Sequence, residues 1–137
     1  RFDQDLINML GKRYIGDKRA FFSSGPESRE FRDRIDLYDF KSFDEAYHQL
    51  MSELTTLSAE SIRLVLPEKN ETGNMYVTGG FSKNQIFVKL LAGMFPGMRV
   101  FTSEIKNATA LGAALVVYKS LSDIVPEPNL GLTEYLA

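Results

Sequence analysis

Between Met75 and Tyr118 the apolar residues change their period three times, and this alternation constrains the fold more than any other feature of the sequence. Met75-Tyr76-Val77-Thr78 reads as a short buried strand, broken by Gly79-Gly80. Ile86, Phe87, Leu90, Leu91 and Met94 then hold helical spacing until Pro96-Gly97. Met98 to Thr102 reads as a second strand. After a short loop, Asn107 can cap a last helix through Ala108, Leu111, Ala114, Leu115 and Tyr118. Strands alternating with helices predict an α/β fold, strand-helix-strand-helix, with the strands parallel and joined by a crossover.

A long amphipathic helix precedes this unit. Ser42 followed by Glu45 fits a capping box, and Phe43, Ala46, Tyr47, Leu50, Met51, Leu54 and Leu57 keep to one stripe. Ile62, Val65 and Leu66 extend the stripe, and Pro67 stops it. Residues 1–41 carry no motif. Phe2, Leu6, Ile7 and Leu10 have helical spacing that Gly11 can end, Ser23 to Ser28 is loop-like, and Arg29 to Arg34 suits another short helix. Residues 42–122 form the main body, and residues 123–137 read as an irregular tail from which Leu132, Tyr135 and Leu136 can dock back.

Sixteen basic against eighteen acidic residues leave a formal charge of −2, which gives no electrostatic reason to expect nucleic acid or an anionic membrane. No apolar run approaches the roughly 20 residues of a bilayer span. Cysteine is absent, so disulfide and thiolate chemistry are excluded; this is compatible with a reducing compartment, and a cytoplasmic setting is the expectation. No His, Cys or carboxylate cluster has metal-ligand spacing. His48, the only histidine, is expected to be a flanking surface residue of the long helix, and Asp36, Asp39 and Asp44 to be capping or solvated carboxylates.

The segment Val77 to Asn84 is where binding chemistry is expected. A glycine pair between a strand end and a helix start lets backbone approach a ligand closely, and the following helix presents free amides and the positive end of its dipole. Asn84 can offer a donor and an acceptor to a ribose or a base edge. A purely structural turn is the commoner meaning of such a pair. The second segment, Glu104 to Ala114, is rich in small residues that suit close packing, while Glu104 and Asn107 fall beside the glycine pair if the two strands are neighbours.

Gly79-Gly80, Asn84, Glu104 and the run Thr109-Ala110-Leu111-Gly112-Ala113-Ala114 together resemble, in order and spacing, the end of the FGGY carbohydrate kinase family. The match is specific over Val77 to Ala114, looser over the helix from Ser42, and absent over residues 1–35. The resemblance implies part of a ribonuclease-H-like lobe of the actin-like ATPase superfamily, and a kinase moving the γ-phosphate of ATP to a sugar hydroxyl with Mg2+. It implies nucleotide contacts from Gly79, Gly80, Phe81 and Asn84. Phe81 departs from the family's usual small residue and either lines or narrows the adenine pocket; Thr78 stands where some members carry an acid. The resemblance places the sugar or polyol site, the other phosphate loops and the aspartate base upstream, so this chain is expected to be inactive alone. A deoxy-ketose such as rhamnulose or fuculose is the expected acceptor. The alternative is a non-catalytic nucleotide-binding or assembly module of the same superfamily.

The sequence opens at Arg1 rather than Met, so a trimmed, processed or fragmentary chain is the expectation. Two strands make too little sheet to stand uncovered. The expectation is therefore self-association, or coverage of the open strand edge by residues 1–40. The kinase reading requires residues 79–84 and 104–107 on one rim, with Asn84 facing outward.

Overall fold

The computed structural model describes residues 1–13, 20–22, 39–66, 72–122, 124 and 126–136. They form a mixed α/β structure of four helices and one small three-stranded sheet. Helix α1 spans Gln4–Arg13 and α2 spans Phe43–Val65. Strand β1 (Asn74–Val77) leads through a 3-10 turn, Gly80–Lys83, into α3 (Gln85–Met94). Strand β2 (Arg99–Ser103), helix α4 (Ala108–Leu121) and strand β3 (Leu132–Tyr135) follow. The readings over Ser23 to Ser28 and Arg29 to Arg34 lie outside the described residues.

The α2 start follows the expected chemistry with one shift. Ser42 Oγ accepts the Glu45 amide at 3.1 Å, while the Glu45 carboxylate accepts the Lys41 amide at 2.6 Å, one residue before the cap. The stripe then divides between two partners. Ala46, Leu50, Leu54 and Leu57 pack against Phe21, Phe22 and Phe40, whereas Ala59, Ile62 and Leu66 join the cluster of Phe87, Val88, Leu91, Ala92, Phe95 and Val100. A helix held on two sides has few surface positions left. Helix α1 packs on α2 as well, and His48, expected at the surface, lies beside Phe2 and Leu6 and is only 3% exposed, with Nδ1 donating to the Asp44 carbonyl oxygen at 2.8 Å. Phe43 and Val65, expected in the stripe, are exposed at the two helix ends, where the packing partners run out. Helix α1 continues through Gly11 to Arg13 and buries Leu10.

Strands β1 and β2 pair in parallel, with Met75 opposite Val100 and Val77 opposite Thr102. Met75, Val77, Val100 and Tyr135 pack against α3, and the opposite face carries Tyr76 stacked on Phe101. The sheet corrects two expectations. It has three strands rather than two, and residues 132–135 of the tail are a strand, antiparallel to β2, rather than irregular. The cause is the free edge of β2, whose amides and carbonyls need partners. Ser103 Oγ donates to the Leu130 carbonyl at 2.6 Å, and Arg99 grips Glu134 through Nε at 2.7 Å and a second nitrogen at 2.9 Å. The outer edge of β1 has no strand partner among the described residues.

The hydrogen bond from Arg99 holds the Glu134 carboxyl below its ordinary range. A carboxylate with a lowered folded pKa stabilises above its unfolded value, about pH 4.3, and that contribution fades as pH falls below it, through the depressed folded value. Amide exchange at Val100 and Thr102, whose amides face β3, is therefore expected to quicken, relative to Leu91, as pH drops below about 4. The Glu134→Gln variant should lack that acid step; an identical step in the variant would show that another group causes it.

Candidate functional site

The carboxyl end of β1 and the amino end of α4 form one cavity. Thr78 and Gly79 line one side, and Lys106, Asn107, Ala108, Thr109, Ala110 and Ala113 line the other, around about 460 Å³. The parallel β1–β2 pairing produces this meeting: both strands end on the same side, so the loop after each opens onto a shared rim.

Gly79 is set by its backbone. Its φ of 77° with ψ of −155° is a conformation that glycine alone adopts without strain. The turn is tied locally, since the Gly79 carbonyl accepts the Ser82 amide at 3.3 Å and the Ser82 hydroxyl at 2.7 Å. Gly80 has an ordinary φ, and a Cβ there would meet nothing within 4 Å.

On the opposite wall, Asn107 occupies the cap position of α4, but its side chain makes no capping hydrogen bond, contrary to the expectation from sequence. Its φ of −126° and ψ of 54° lie away from the extended geometry from which cap side chains reach back to the helix amides. First-turn amides of α4 thus lack a side-chain cap at the cavity, next to the Lys106 ammonium and the Thr109 hydroxyl. Such a wall presents donors and positive potential and accommodates an anionic group.

The four residues expected to touch a ligand are not brought together. Gly79 alone lines this cavity. Gly80 and Asn84 line a different one of about 390 Å³, with Arg1, Phe2, Tyr47, Lys83, Gln85 and Ile86. Phe81, in the 3-10 turn, is 46% exposed, its ring 4.7 Å from that of Phe87 on α3. Asn84 is turned into the packing rather than outward. Its carbonyl oxygen accepts the Ile86 and Phe87 amides at 3.1 and 3.2 Å, and its amide donates to Tyr47 Oη at 2.9 Å and Met51 Sδ at 3.1 Å. The reason is the cap: a helix whose first residue follows a tight turn needs those amides satisfied, and α2 supplies partners for the rest of the side chain. Glu104 is also away from the rim, packed over Gly131, where a Cβ would stand 3.2 Å from the Glu104 Cβ.

Lys106 and Thr109 are the cavity residues that sequence reasoning passed over as candidates. A lysine and a hydroxyl flanking a helix start were the signal available. Among the described residues, no group of three or more His, Cys, Asp or Glu is placed to hold a metal ion, and no helix is long and apolar enough to cross a membrane. No family model, no curated protein and no solved structure matches the chain.

Proposed function

We propose that this chain is the nucleotide-holding segment of an ATP-dependent carbohydrate kinase, with the ribonuclease-H-like architecture of actin-like ATPases. The observation that supports it is the shared cavity, while the outward-facing Asn84 and the rim position of Glu104 that the resemblance requires are not met. The glycine turn and the loop opening the Thr109-Ala110-Leu111-Gly112-Ala113-Ala114 run, two separate parts of the motif, face each other across it. In this reading the α4 amides and Lys106 hold a phosphate group, and Gly79 lets the nucleotide approach bare backbone.

The residues present fit a phosphate better than they fit magnesium. Among the described residues no carboxylate lines the cavity, so none of them offers a Mg2+ ion an anionic ligand there. The sugar or polyol site and the general base belong to an upstream lobe in this proposal, and the chain alone transfers no phosphate. A second reading, a non-catalytic nucleotide-binding or assembly module, is favoured by Asn84, whose side chain is held by Tyr47 and Met51 rather than presented at the rim.

Calorimetric titration of the chain with ADP tests the binding claim that both readings share. Saturable heat is expected in the millimolar range, and Lys106→Glu should weaken it at least about tenfold. Gly79→Ala should weaken it too, because the backbone must leave its glycine-only conformation at a cost of about 1–3 kcal/mol. Gly80→Ala should bind like the parent. No heat from the folded parent at millimolar ADP would remove the nucleotide reading in both forms.

A further inference from the structure

Residues 1–3, α1 and the start of α2 border a further cavity of about 450 Å³, which shares no residue with the one at Gly79. Arg1, Phe2, Asp3, Leu6, Asp44 and His48 are among the residues lining it. His48 is 3% exposed, and because the Asp44 carbonyl oxygen only accepts, the ring proton sits on Nδ1. The neutral ring therefore carries a lone pair at Nε2, and that buried atom has no hydrogen-bond partner among the described residues. Nδ1 turns back onto its own helix, which leaves Nε2 at the far end of the ring, toward α1 and the cavity. A buried acceptor without a donor is costly, and folded proteins seldom keep one without a use.

We propose that this cavity binds a small organic ammonium compound, whose N–H donates to His48 Nε2 while its hydrocarbon part lies against Phe2 and Leu6. The lining selects that chemistry. Nε2 requires a donor, and the Asp3 and Asp44 carboxylates favour a cation, with Arg1 the single opposing charge. An anion would meet two carboxylates and a lone pair. A metal ion is the weaker fit, because no three His, Cys, Asp or Glu among the described residues are placed to hold one. The volume suits a small molecule, and Phe2 and Leu6 give it an apolar wall. Water does not reach Nε2 with the side chains as they stand. Phe2 and Leu6, both only half-buried, are the ones that turn aside for an entering amine.

His48 is the only histidine, so NMR of the imidazole nitrogens reads this site alone in the untagged full chain. The probe is phenethylammonium chloride at about pH 8, where imidazoles are ordinarily neutral and alkylamines charged. The Nε2 resonance is expected to move upfield and saturate with a Kd of about 0.1–10 mM, while the Nδ1 resonance stays nearly still. By calorimetry, His48→Leu should weaken binding at least about tenfold, since the acceptor is gone. Asp44→Asn, at an exposed position, should weaken it about two- to fivefold, and decides the matter whether or not the leucine variant folds. Lys106→Glu, in the other cavity, should leave it unchanged. An Nε2 resonance unmoved at about 20 mM amine overturns the proposal. So does binding that survives both His48→Leu and Asp44→Asn, or sodium phenylacetate binding as tightly as the amine. An Nε2 resonance that answers zinc chloride and not the amine would make the site a metal centre instead.

Discussion

Replacing Glu53 with alanine is expected to lower the thermal unfolding midpoint by about 10 °C or more, from a loss of about 3–5 kcal/mol. Glu53 is 4% exposed and lies on α2 between two hydrophobic clusters. One carboxylate oxygen accepts the Ala20 amide at 2.6 Å and the Gln49 side-chain amide at 2.7 Å. The other accepts the Phe21 and Phe22 amides at 2.9 and 3.0 Å. Four donors around one buried carboxylate make the burial tolerable, and they also dock a distant segment on α2. Without the carboxylate, three backbone amides and one side-chain amide lose their acceptor together, and each unsatisfied group costs about 1–3 kcal/mol until water reaches it. Phe21 and Phe22 then leave the cluster they form with Phe40, where Phe21 and Phe40 stack at 5.6 Å. Glu53→Gln should fall between parent and alanine variant, because it keeps one acceptor oxygen and turns an NH2 group toward donors. Melting followed by circular dichroism measures both. An alanine variant within about 3 °C of the parent would show that the carboxylate does not hold the segment.

Leu91→Ala is the second large effect, a loss of about 2–5 kcal/mol read from chemical denaturation. Leu91 is 1% exposed, in a cluster with Val88, Phe95, Val100 and Ala59, so it joins α3 to both the sheet and α2. The surroundings collapse poorly around the missing atoms, since Val88, Val100 and Ala59 are themselves fully enclosed. Leu90, only half-buried one position away, supplies the comparison: its alanine variant should lose less than half as much. Equal losses at the two positions would mean that the α3 face is not the one packed on the sheet. The same cluster fixes β1 against β2, so this variant should also weaken whatever the rim at Gly79 holds.

Local structure was legible where a short stretch carries its own reason. Ser42 caps α2, Gly79 turns where no side chain is tolerated, and the periods of β1, α3, β2 and α4 each announce their element. The parallel pairing followed from their order alone. The site was less legible. Gly79 was found because glycine is demanded by backbone geometry within one turn, but Lys106 and Thr109 have no such local signature.

The sequence by itself determined the elements and their succession, because hydrophobic period, caps and turn glycines act within a few residues. Tertiary structure alone decided what those elements meet. Asn84 faces α2 because Tyr47, 37 residues earlier, offers a hydroxyl to its amide. Residues 132–135 become a strand because β2 has a vacant edge, and Glu53 is buried because three amides from residues 20–22 arrive to satisfy it. Each of these depends on a partner distant along the chain, and no local pattern encodes which partner comes.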